Sequence, residues 1–178
     1  MSSLILVIDL EATCCDKGTI TPELMEIIEV GAVWATPSGD VIDTFQRFVQ
    51  PIERPILTDF CRSLTHIDQA SIDTAAFWPS IANELSEFSK QYNGGAWGSW
   101  GAYDRRQIER ECTRHSIENP LAGIPHLNLK ATFAKTRKIK QVGMATALKI
   151  TGLNLIGDHH RALSDARNIV QLLPWSIK

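Results

Sequence analysis

Asp9 and Glu11 close a continuous apolar run from Leu4 to Leu10 as Asp-Leu-Glu. Side chains two positions apart on a strand point to the same side, so the two carboxylates share a face. Two acids at the end of a buried strand repel unless a cation sits between them. Hard divalent ions such as Mg²⁺ take oxygen donors of this type. A pair of solvent-exposed strand-end acids is the competing explanation. Far downstream, His160-Arg161-Ala162-Leu163-Ser164-Asp165 places a histidine in a loop and an acid one turn into the next helix. Such a corner can serve one site, the acid on a metal and the imidazole on a water. A loop histidine with no role is the plainer alternative, and His159 beside it is read as exposed. Asp104 follows Trp100-Gly101-Ala102-Tyr103, where a strand turns into a helix; taken alone it is a helix N-cap.

The elements that must position these residues can be traced along the chain. Leu4–Leu10 reads as a strand buried on both faces, and Ile27–Trp34 as a second. The turn Thr36-Pro37-Ser38-Gly39-Asp40 leads into a third, where Phe45, Arg47 and Val49 alternate with Gln46, Phe48 and Gln50. Short connections make these three an antiparallel meander. Helices are expected at Leu57–Leu64 and Phe77–Tyr92, the latter with Ile81, Leu85 and Phe88 on one stripe. A strand through Trp97–Trp100 follows, then a helix over Asp104–His115 and an edge strand at His126–Lys130. Further helices are expected at Ala131–Arg137, Gly143–Thr151 and Arg161–Leu173. The pattern predicts a mixed α/β (α+β) domain around a five-stranded sheet.

The chain has 178 residues, 44% apolar and 21% charged, which fits one domain, 1–178, with a sizeable core. No apolar run reaches the length of a membrane span, and Met1-Ser2-Ser3 does not open a signal peptide, so a cytoplasmic location is expected. The cysteines Cys14, Cys15, Cys61 and Cys112 lack the spacing of a zinc site and read as reduced thiols. Net charge is −2, yet Asn119 to Gly157 contains no acid and six bases: Lys130, Lys135, Arg137, Lys138, Lys140 and Lys149. That asymmetry is either a footprint for a polyanion or a solvated basic face.

Together, the spacing Asp-x-Glu, an Asp after the fourth strand and His-x-x-x-x-Asp resembles the DEDDh exonucleases of the DnaQ-like family. The stretches Asp9–Cys14, Glu26–Ala32, Leu57–Cys61 with Leu64–Ile67, Asn128–Lys130 and His159–Asn168 are similar to its ERI-type branch, which includes the histone mRNA 3′ exonuclease. The resemblance implies an RNase H-like fold, with a five-stranded mixed sheet and helices on both faces. It implies Asp9, Glu11, Asp104 and Asp165 around two Mg²⁺ or Mn²⁺ ions, with Asp9 bridging and His160 as general base. Glu11, the backbone of Ala12 and His160 would also touch the terminal nucleotide. Leu64 and Tyr103 are candidates to contact it, against plain packing, while Lys135, Arg137, Lys138 and Lys140 would form a basic track. The expected activity is 3′→5′ removal of nucleoside 5′-monophosphates from single-stranded RNA or DNA ends. Oligoribonuclease, proofreading exonuclease and a non-catalytic nucleic-acid-binding module are the alternatives; no protein partner is identified. Glu29, inside an apolar strand, is read as a buried partner for a basic residue. Trp34, Trp78, Trp97 and Trp175 are read as core.

Overall fold

The computed structural model describes residues 4–177; the expectation for Met1–Ser3 lies outside them. Strand β1 (Leu4–Ala12) runs antiparallel to β2 (Ile27–Ala35), and β2 antiparallel to β3 (Val41–Phe48), which is the expected meander. On the other side of β1 lie β4 (Gly94–Ser99) and β5 (His126–Asn128), both parallel. The sheet order is β3-β2-β1-β4-β5, so the fold is a five-stranded mixed sheet with β1 at its centre. The C-terminal ends of β1, β4 and β5 therefore open on one edge.

Alternation along β1 explains why both of its faces are buried. Leu6, Ile8 and Leu10 pack with α3 (Trp78–Lys90) and α4 (Tyr103–His115). Ile5 and Val7 pack on the opposite face with α5 (Leu129–Arg137), α6 (Met144–Thr151), α7 (Ala162–Gln171) and α8 (Leu173–Ser176). Burial of this kind contributes roughly 1.5–3 kcal/mol per large aliphatic side chain. A smaller cluster of Ile28, Leu57, Cys61, Ile67 and Ile72 sits under α1 (Asp59–Thr65) and α2 (Gln69–Asp73). Trp34, Trp78 and Trp97 lie in the core as expected, whereas Trp175 is only half-buried and packs at its margin.

Two helices differ from the expected set. The helix expected through Leu173 stops at Gln171, and α8 is a separate turn with Pro174 in its first positions; proline has no amide to continue the ladder. Helix α2 was not expected at all, because five residues are too few for a periodic signal. Asp68 caps it by accepting from the Ser71 amide. No helix of the described residues is long and apolar enough to cross a membrane.

The placement of α7 depends on Gly31. A Cβ added there would lie 2.2 Å from the Ala162 carbonyl carbon, so the helix backbone rests directly on β2. Glu29, two residues earlier on the same face, is fully buried and accepts the Ala162 amide at 3.0 Å. It thus caps the first turn of α7 with a negative charge from the sheet. Its basic partner is Arg161, whose Nε and Nη2 donate to the carboxylate at 3.2 and 3.0 Å.

Candidate active site

On β1 the acids take up the alternation where the apolar residues stop: Ile5 and Val7 face α7, and Asp9 and Glu11 continue that series. Docking of α7 on Gly31 brings Asp165 to the same place. Carboxylate oxygens of Asp9, Glu11 and Asp165 lie within 4.8 Å of one another. Asp104 approaches from α4 and accepts the amide of Leu10, the residue between the two β1 acids, at 3.2 Å. It is not an N-cap: Ala102 holds that position, and Asp104 lies inside the first turn of α4. Asp104 is outside the tight group of three but is anchored to their strand.

Burial, with the crowding of like charges at Asp9 and Glu11, raises the proton affinity of this group. Burial, then the charges of Asp104, Glu11 and Asp165, hold the Asp9 carboxyl well above its ordinary range. Burial and the neighbouring Asp165, Glu29 and Asp104 push Glu11 up to about 8. Burial lifts Asp104 to about 6, against hydrogen bonds from its own amide, the Leu10 amide and Ser99 that hold it down. Converging hard oxygen donors fit a divalent cation, which would relieve the repulsion.

The loop before α7 supplies the imidazoles. His160 has φ 63°, in the left-handed region, and its amide donates to Asp165 at 3.1 Å. Burial, and then His159, lower the His160 pKa below the ordinary value; Asp165 works the other way. His159 is not merely exposed, as the sequence had suggested. Its Nδ1 lies 3.1 and 3.0 Å from the two oxygens of Asp165, and its ring stacks on His160 with centroids 3.9 Å apart. The signal was available as the doubled histidine, but which of the two faces the acid depends on a backbone turn that spacing does not encode.

Around these groups, Ala12 ends β1 at an irregular register after Glu11, and its carbonyl accepts from the Cys61 thiol at 3.7 Å. Tyr103 immediately precedes Asp104, is 41% exposed, and directs its hydroxyl to the sulfur of Met25 at 3.4 Å. Leu64 is half-buried near the end of α1. Lys135, Arg137, Lys138 and Lys140 are exposed and, among the described residues, in no ion pair. They cluster around the C-terminus of α5, whose N-terminus abuts the open edge of the sheet; at 1.5 Å per residue they start roughly 9 Å along the axis from it. Lys130 lies in the first turn instead, with its stem beside the Gly101 turn that leads to Asp104.

Comparison with known proteins gives a consistent result. The family model RNase_T, described as exonuclease, matches residues 6–173. Human "ERI1 exoribonuclease 2" is 31% identical over 97% of this chain, which spans 28% of that protein's length. Mouse "3′-5′ exoribonuclease 1" is 28% identical over 94% of this chain and 51% of its own length. The solved nuclease domain of 3′hExo, a DEDDh family member bound to rAMP, superposes with a TM-score of 0.86 at 25% identity, covering 96% of this chain and 90% of that one.

Proposed function

Because the chain belongs to the RNase_T exonuclease family, as a DEDDh member of the ERI type, we propose that it removes nucleotides one at a time from the 3′ end of single-stranded RNA. The convergence of Asp9, Glu11 and Asp165 within 4.8 Å, beside Asp104 and His160, is the observation that carries this reading. Asp9, Glu11, Asp104 and Asp165 are the residues that would hold divalent cations, Mg²⁺ or Mn²⁺. Such ions lower the pKa of a bound water and neutralise charge on the transferring phosphate.

The chain's own groups perform the remaining work. A ring nitrogen of His160 takes the proton from the attacking water, and the burial that lowers its pKa favours the neutral, accepting imidazole. Glu11 and the Ala12 backbone, at the irregular end of β1, receive the terminal 3′-hydroxyl. Tyr103 and Leu64 flank the terminal base, and the exposed aromatic ring of Tyr103 supports a stacking role. The basic residues of α5, with Lys130 nearest the site, draw in the upstream phosphates. Each cycle releases a nucleoside 5′-monophosphate, the class of molecule that the 3′hExo nuclease domain holds as rAMP.

Labelled RNA and DNA, single-stranded and duplex, test the reading side by side. A 5′ label should give a ladder shortening from the 3′ end, and a 3′ label should appear at once as mononucleotide. RNA should be degraded in preference to DNA. A 3′-phosphate should slow cleavage strongly, because it brings negative charge beside Glu11. Asp9→Ala should leave less than about a tenth of the activity if this carboxylate holds the metal. Internal cuts in a circular strand, or release of 3′-monophosphates, would overturn the proposal; digestion of DNA ends alone would reassign the substrate.

A further inference from the structure

His159 makes a contact that the catalytic scheme does not use. Its Nδ1 faces both oxygens of the Asp165 carboxylate, and its ring lies nearly parallel to His160, at 21°. An ionised carboxylate only accepts hydrogen bonds, so the nitrogen turned toward Asp165 is the one that carries the proton. Asp165 is 5% exposed and accepts from two sources beside each other in sequence, the His160 amide and the His159 ring. Both come from the loop that the left-handed His160 turns back toward the helix. That turn puts one histidine on the acid and leaves the other stacked on it, so the two rings and the carboxylate form one packed unit.

We propose that His159 is a positioning residue for this site: its imidazole fixes the Asp165 carboxylate toward the β1 acids by hydrogen bonding and fixes the His160 ring by stacking. The inference rests on the proposed function, in which Asp165 holds a metal ion and His160 accepts a proton. Carboxylates that ligate metals are themselves held by outer hydrogen-bond donors, whose loss weakens metal affinity by about 10–100-fold. The stack acts on a different quantity, the orientation of the base, so the two contributions can be separated by substitution.

Three variants make that separation. His159→Asn keeps an N–H near the position of Nδ1 but loses the ring; His159→Phe keeps a flat ring but loses the donor; His159→Ala loses both. Mn²⁺ affinity would be measured on the protein without RNA, by calorimetry or by the spin-resonance signal of free Mn²⁺, with the fold of each variant checked by circular dichroism. Affinity should weaken by about tenfold or more in His159→Phe and His159→Ala and be largely kept in His159→Asn. At saturating Mn²⁺, kcat should be kept in His159→Phe and reduced in His159→Asn and His159→Ala, with KM for RNA little changed. Folded His159→Ala and His159→Phe variants with wild-type Mn²⁺ affinity would overturn the proposal. A wild-type protein that binds Mn²⁺ no better than Asp9→Ala would instead remove the metal-site reading on which it stands.

Discussion

The ionisable residues of the site make two separate statements about pH. In the proposed reaction His160 must be neutral to accept a proton, and burial with the adjacent His159 lowers its pKa below the ordinary value near 6.5. At saturating metal, the fall in kcat on acidification should therefore be centred below 6.5; a midpoint at or above it would contradict the environment described. Glu11 behaves in the opposite sense. Its carboxyl is raised from 4.5 to about 8 in the folded, metal-free protein, so the native state holds a proton that the unfolded chain has lost across that window. Stability of the metal-free protein should then fall as pH rises from about 4.5 toward 8, because the native state binds more protons there. Cation binding needs the ionised acid, so the rise in Tm produced by Mn²⁺ should be larger at pH 8 than at pH 5.5; an equal rise at both would show that Glu11 is not a ligand. At this scale much was legible, since strand alternation puts Asp9 and Glu11 on one face and the four-residue gap puts His160 and Asp165 on one corner. The bond from His159 to Asp165 was not, because it follows from a positive φ at His160 that residue types do not announce.

Among the elements, α7 carries the greatest functional burden, because it delivers Asp165 while its entry loop delivers both histidines. Contact with β2 at Gly31 sets its height over the sheet, and Glu29 with Arg161 sets its end. Gly31→Ala places a methyl group 2.2 Å from backbone that cannot rotate away, so the helix must shift. Overpacking of this kind costs about 1–3 kcal/mol, whereas a displacement of about 1 Å at a reacting centre can cost about 100-fold in rate. The variant should therefore remain folded yet lose activity far beyond its loss of Tm, checked by thermal unfolding alongside kcat. A fully active Gly31→Ala protein would mean that α7 does not need this contact. Periodicity revealed the long helices and the meander, because each buries a continuous stripe. It missed α2 and the break before α8, where a capping aspartate and a proline, rather than a stripe, decide the structure.

For the whole molecule, the proposed substrate raises the question of how a protein of net charge −2 would gather a polyanion. Along α5 the bases of the acid-free stretch run from Lys130 in its first turn, next to β5, to Lys135 and Arg137 in its last. RNA affinity should fall with salt at a slope of about −0.7 per phosphate contact. Lys130→Ala should flatten the slope for short and long strands alike, since Lys130 lies by the Gly101 turn. Neutralising Lys135 and Lys138 should flatten it only for strands long enough to reach the far end of α5. Identical slopes for all these proteins would return the segment to a solvated face. Sequence disclosed the charge asymmetry but not this gradient, which depends on the direction in which α5 leaves β5.

The docking of α7 on Gly31 also orders events in time. β1 carries Asp9 and Glu11, two of the three acids that Asp165 joins, and both precede Ala162 to Asp165 by about 150 positions in the chain. Contacts between elements so far apart in sequence close late, because the chain entropy of the intervening loop must be overcome first. The candidate site is consequently incomplete until late in folding: the acids of β1 wait for the segment that brings Asp165, His159 and His160 onto the sheet.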